Sequence, residues 1–140
     1  MSEIEIKLAA GTDVGLVRKN NEDNFVVNRD LSQSEWIIPQ SSETIPLGKY
    51  GTLLVVADGM GGTNAGEVAS AIAIETVQNA FTPEKLDKIV TFEGEMATEE
   101  AIEEFLTKTI KAADLNIVNA SKEDSSTQGM GTTIVIAWIL

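Results

Sequence analysis

The chain has 140 residues, 43 % of them apolar, with 22 acidic and 10 basic side chains and a formal net charge of −12. That length suits one domain with its own core, and that charge argues against nucleic-acid binding through a basic face. Cysteine and histidine are both absent, which excludes disulfides, thiolate or imidazole metal sites, a cysteine nucleophile and a Ser-His-Asp triad. Any chemistry has to run on carboxylates, amides, hydroxyls, lysine and arginine.

Along the chain, Ile4, Ile6 and Leu8 alternate with polar residues from Ile4 to Ala10, the period of a half-buried strand. Gly11 to Gly15 reads as a bend or an extended continuation, and Phe25-Val26-Val27 as a short second strand. Asp30 to Lys49 is polar, carries Pro39 and Pro46, and reads as a long connection with room for a small strand of its own around Trp36-Ile37-Ile38. The apolar run Gly51 to Ala57, ending in Asp58-Gly59, fits a strand buried on both faces. After the glycine-rich stretch Gly59 to Gly66, a helix is predicted from about Ala65 to Phe81. Val68, Ala69, Ile72, Ala73, Thr76, Val77 and Ala80 form its stripe, and Thr82-Pro83 stops it.

Glu84 to Ala97 reads as a short helix and a loop. A second long helix is predicted over Thr98 to Ala120, with Ile102, Phe105, Leu106, Ile110, Ala113 and Ile117 inward and Thr98, Glu99 and Glu100 suited to its start. Ser121 to Gln128 reads as a polar loop and Thr132 to Leu140 as an apolar strand. Strands first and last with two long helices between them indicate an α+β sandwich rather than alternating βαβ units. No apolar run approaches the roughly 18 residues of a membrane-spanning helix, and the acidic start lacks a signal-peptide pattern. The expectation is a soluble cytoplasmic protein without a membrane partner.

Two segments concentrate polar chemistry. In Arg18-Lys19-Asn20-Asn21-Glu22-Asp23-Asn24 two adjacent carboxylates sit between amides just before a strand. Crowded carboxylates need a cation or an arginine to neutralise them, although neighbours in a strand point to opposite faces and need not reach one ion. A polar turn entering a hairpin accounts for the same residues. In Val55-Val56-Ala57-Asp58-Gly59-Met60-Gly61-Gly62 a carboxylate stands at the end of a buried strand, on a rigid support, beside glycines that let backbone approach a ligand. A tight strand-to-helix turn accounts for these glycines equally well. Phosphate-loop readings fail on spacing. Gly61 and Gly66 have Walker A separation, but Glu67-Val68 stands where Lys-Ser/Thr is required. After Gly59 and Gly61, Asn64 takes the third glycine position of the dinucleotide fingerprint. Read together, the two segments describe a hard-cation site suited to Mg2+ or Mn2+, with Arg18 able to hold a phosphate bidentately.

Three stretches then become recognisable. Thr12 to Asp23 resembles the first motif of bacterial PPM-type (PP2C-like) metal-dependent protein serine/threonine phosphatases. Val56 to Gly62, continuing through Gly66-Glu67-Val68-Ala69-Ser70, resembles the second, and Gly129-Met130-Gly131-Thr132-Thr133 the motif that opens the next core strand. The resemblance implies that Arg18 binds the substrate phosphate. It implies that Glu22 and Asp23 belong to a dinuclear metal site, that Asp58 bridges the metals and that Gly59 supplies a carbonyl ligand. The implied reaction is hydrolysis of phosphoserine or phosphothreonine in proteins by a water activated by two or more Mg2+ or Mn2+ ions. The implied fold is an α-β-β-α sandwich, antiparallel sheets flanked by antiparallel helix pairs.

Met60 and Thr63 depart from the histidines that other members carry near those points, which reads as subfamily character. Family catalytic domains also continue well past Leu140, so residues 1–140 are expected to be the N-terminal portion of a single phosphatase domain, incomplete at the C-terminus. Further metal-site aspartates are expected beyond it. The alternative is a truncated or inactive phosphatase-like module acting in regulation or partner binding. An apolar strand at the C-terminal end leaves dimerisation through that strand open.

Overall fold

The computed structural model describes residues 3–62, 64–92, 95–96 and 98–140, with side chains not described at 91, 92, 95 and 96; Thr63 and part of the 84–97 segment lie outside the described residues. The elements in chain order are β1 (Glu5–Leu8), β2 (Asp23–Asn28), β3 (Glu43–Pro46), β4 (Thr52–Met60), α1 (Ala65–Ala80), α2 (Pro83–Val90), β5 (Thr91–Phe92), β6 (Glu95–Met96), α3 (Glu99–Glu123), a single 3-10 turn (Ser125–Thr127), β7 (Gly131–Thr132) and β8 (Val135–Ile139). This is the expected α+β arrangement of antiparallel strands with a helix pair.

Strand β4 is the centre of the main sheet. It pairs antiparallel with β2, Phe25 opposite Val56 and Asp23 opposite Asp58. On its other side it pairs antiparallel with β8, Val55 opposite Ile136, and at its end with β7, Gly59 opposite Thr132. A separate two-stranded sheet joins β1 to β3, and β5 joins β6 in a short hairpin. The long connection does carry a small strand, but at Glu43–Pro46, where it pairs with β1; Ile37 makes only an isolated bridge to Val27.

Helices α1 and α3 cover one face of the sheet. Ala65, Gly66, Ala69, Ser70, Ala73 and Val77 are buried on α1, and side chains this small let its backbone lie close to the strands. The expected stripe holds except at Val68, and Gly66 and Ser70 join it. Val68 is 40 % exposed, because glycine and serine, not valine, occupy the closest contact. Thr98 starts α3 as expected, its hydroxyl accepting from the Ala101 amide at 3.2 Å. Asn116 of α3 donates to the Thr76 hydroxyl of α1 at 3.0 Å, tying the helices together. Ile110, placed inward by sequence, is 44 % exposed. Between helices and sheet, Phe81 meets Phe105 and Trp138 edge-to-face at 5.0 and 5.1 Å, a geometry that adds to simple area burial.

Three further expectations are corrected. Strand β4 is buried on one face only: Leu53, Val55 and Ala57 are sealed under the helices, whereas Val56 is 51 % exposed on the opposite face. The 121–128 segment is a continuation of α3 to Glu123 and a 3-10 turn, with Asp124 accepting from Ser126. The final apolar run is split between β7 and β8; at the break the Asp58 amide donates to the Thr133 hydroxyl, while the Thr133 amide still donates to the Asp58 carbonyl.

Candidate functional site

The site forms where β2, β4 and the start of α1 meet. An open cleft of about 420 Å3 is lined there by Asp13, Arg18, Glu22, Asp23, Asp58, Gly59, Met60 and Thr133, among others. All five residues singled out from the sequence, Arg18, Glu22, Asp23, Asp58 and Gly59, line it.

The antiparallel register sets Asp23 and Asp58 directly opposite one another, so both project from the face of the sheet away from the helices. Loss of hydration, then the charge of Asp58 and a hydrogen bond shared with it, hold the Asp23 carboxyl above its ordinary value. Glu22, one residue earlier, turns the other way. Its carboxylate lies against Gly66 in the first turn of α1, so close that a Cβ on Gly66 would stand 2.7 Å from Glu22 Cδ. Adjacent acids thus serve two sides of the cleft, and among the described residues no cluster of three or more acidic side chains is tight enough to cage a metal.

Backbone hydrogen bonds hold this geometry. The Gly59 amide donates to the Glu22 carbonyl at 3.2 Å, and the Thr133 amide donates to the Asp58 carbonyl at 2.8 Å. The Asp58 amide donates to Thr133 Oγ1 at 3.3 Å. A side chain at Gly59 would run into the Gly66 carbonyl oxygen, which explains why glycine follows the aspartate. Asn21 accepts from the Asp23 amide at 3.1 Å and donates to Thr12 at 2.7 Å, fixing the turn into β2. Asn20 donates to Asn64 Oδ1 at 2.8 Å. Asn64, at φ 65, takes the left-handed conformation, which asparagine adopts more readily than most residues. Arg18 is exposed on the cleft wall and has no ion-pair partner among the described residues, leaving its five N–H donors available.

Sequence reasoning assigned no role to Asp13, Asn20, Asn21, Ser70 or Thr133. Thr133 and Ser70 do lie inside the recognised motifs, but nothing in a linear pattern tells which backbone group their hydroxyls meet.

Asp23 and Asp58 fit a divalent cation by their chemistry: paired oxygens whose mutual repulsion a cation would relieve. The fold and cleft define the class: half of an α+β sandwich with an acidic cleft at the ends of its central strands. Residues 46–140 match the family model for protein phosphatase 2C, and the chain belongs to that family. It is 34 % identical over 126 residues to the serine/threonine phosphatase stp of Listeria monocytogenes serotype 4b, covering 90 % of this chain and 40 % of that protein. The protein phosphatase PhpP of Streptococcus pneumoniae is 28 % identical over 131 residues, covering 92 % of this chain and 41 % of that protein. A crystal structure of a bacterial serine phosphatase superposes on all of this chain and 50 % of its own, with a TM-score of 0.65 and 25 % identity. The chain thus spans about 40 % of the length of the curated relatives it matches.

Proposed function

We infer that the protein carrying this chain hydrolyses phosphoserine and phosphothreonine in proteins, using water activated by a pair of divalent cations, Mg2+ or Mn2+. The observation that carries the reading is the Asp23–Asp58 pair, two opposed carboxyls with one of them held protonated to higher pH, on a cleft wall shared with Arg18, which has no ion-pair partner among the described residues. The names of the relatives, both protein phosphatases, support it.

In this reading Glu22, Asp23 and Asp58, with the Gly59 carbonyl, hold the metals. When bound, the metals lower the pKa of water and neutralise the charge developing on phosphorus. Arg18 receives the phosphate oxygens through its forked N–H groups and fixes the phosphorus relative to Asp58. The surrounding hydrogen bonds from Thr133 and Gly59 keep the end of β4 rigid, so Asp58 is oriented before substrate arrives. Residues 1–140 are read as the N-terminal portion of one such domain, working in the cytoplasm on phosphoprotein substrates.

The test uses the full-length protein and a phosphoserine peptide. Phosphate release is expected with Mn2+ or Mg2+, not with EDTA, and Asp58→Asn is expected to reduce it by at least ~100-fold, in line with the loss of a charge placed at the reacting centre. Undiminished turnover in Asp58→Asn overturns the role given to Asp58.

One observation favours a second reading, a non-catalytic module. The described acidic residues form no tight three-member cluster, and the uncovered face and edge of the sheet offer a surface for a partner, including a second copy pairing along β8. A full-length protein with no metal-dependent turnover, forming dimers by light scattering, would favour that reading.

A further inference from the structure

Glu22 is held by α1 as well as by β4. Its carbonyl oxygen accepts from Ser70 Oγ at 2.9 Å as well as from the Gly59 amide at 3.2 Å. Ser70 is buried to 1 % exposure, one turn inside α1, and its hydroxyl also lies 3.2 Å from the Glu67 carbonyl. Glu22's carboxylate lies over the first turn of the same helix, where a Cβ on Gly66 would meet its two oxygens at 2.8 and 2.9 Å. Helix α1 therefore acts on both the side chain and the backbone of Glu22, the side chain through the empty place on Gly66 and the backbone through the hydroxyl of Ser70, which shares the carbonyl with Gly59. The helix's N-terminal end also favours a carboxylate there.

Backbone conformation does not account for Gly66. It has no positive φ, so the backbone conformation does not call for glycine, and in a helix glycine is less favourable than alanine. The atoms a Cβ would meet are the far end of a flexible side chain, so alanine would displace the carboxylate rather than the fold.

We propose that Gly66 and Ser70 are positioning residues for Glu22: α1 leaves a glycine-shaped place for the carboxylate and a serine hydroxyl for its carbonyl, fixing Glu22 on the cleft wall where it would hold a divalent cation. The inference rests on the reading of Glu22 as a metal-holding residue.

The experiment is calorimetric titration of the metal-free full-length protein with Mn2+ alone, with melting temperature recorded for each variant. Gly66→Ala is expected to weaken Mn2+ binding roughly 10-fold, the lower end of what loss of an outer support costs a metal site, while the melting temperature is kept or raised. Ser70→Ala is expected to weaken it several-fold. In a Glu22→Ala background, Gly66→Ala is expected to have no further effect, because the group it displaces is gone. Unchanged Mn2+ affinity in both Gly66→Ala and Ser70→Ala, with Glu22→Ala weakened, overturns this inference and leaves the metal role of Glu22 standing. The same holds for a loss of equal size in the Glu22→Ala background. Unchanged affinity in Glu22→Ala itself overturns both. If Gly66→Ala melts early, Ser70→Ala, alone and in the Glu22→Ala background, decides in the same way.

Discussion

Val55 and Val56 are chemically identical neighbours on β4, and they stand in different worlds. Val55 is sealed beneath α1, while Val56 is half exposed on the opposite face beside Phe25 and Leu54. The covered face holds the aromatic cluster and nearly all of the core. The open face holds an apolar groove and, at its end, the two opposed carboxyls. The difference teaches that in this chain stability and chemistry are segregated by the pleat: one set of alternate residues builds the core and the other reaches the cleft.

Substitutions on the two faces can break that contrast or sharpen it. The largest effect is expected at Phe81, which joins α1 to α3 and β8. Phe81→Ala should cost about 3–5 kcal/mol in urea unfolding, and a loss under 1 kcal/mol would mean the cluster does not bind the helices to the sheet. Next, Val55→Ala should cost about 2 kcal/mol, two buried methyl groups plus a small cavity. Val56→Ala in the same 140-residue chain should cost ~0.5 kcal/mol or less. Equal costs would remove the distinction between the faces. A larger cost for Val56→Ala in the full-length protein than in this chain would mean that further chain covers the open face.

The smallest effect concerns charge. Asp23 on the open face holds its proton to higher pH in the native state than in the unfolded chain, because of lost hydration and the facing Asp58. Stability of the metal-free protein should therefore be full below the ordinary carboxylate range. It should fall as pH rises from that value to the raised one, and remain lowered at neutral pH. Asp23→Asn should flatten this slope, and its melting temperature in EDTA at pH 7 should exceed that of the unaltered protein. Parallel profiles for the two proteins would show that the Asp23 carboxyl is not raised in the native state.

Much of this was legible beforehand where periodicity speaks. Helices α1 and α3, strand β4 and the capping role of Thr98 follow from spacing and side-chain type. The resemblance implied one site for Arg18, Glu22, Asp23, Asp58 and Gly59, and all five line one cleft. What was not legible depends on three-dimensional partners. The partner of β1 is Glu43–Pro46, across a connection too long for hairpin rules to identify. A run such as Leu53-Leu54-Val55-Val56 does not say which face lacks a cover. The stripe on α1 departs from its spacing only at Val68, because hydrophobicity favours valine there whereas closeness of approach to the sheet favours Gly66 and Ser70. The division of labour between Glu22 and Asp23 was hinted at by strand alternation, but only the position of α1 says what Glu22 faces.

The central place of β4 also has a consequence in time. Its neighbour β2 has been made before β4 itself, but its other neighbour, β8, is made only after both long helices. Until then, Val55 and Leu53 have one paired edge and Phe81 lacks Trp138. A chain emerging from the ribosome would carry an open central strand through most of this segment's synthesis, and such late, long-range pairing is slow and exposed to aggregation. Trp138, whose indole donates to the Tyr50 carbonyl at 2.8 Å, would report by its fluorescence the moment at which that wait ends.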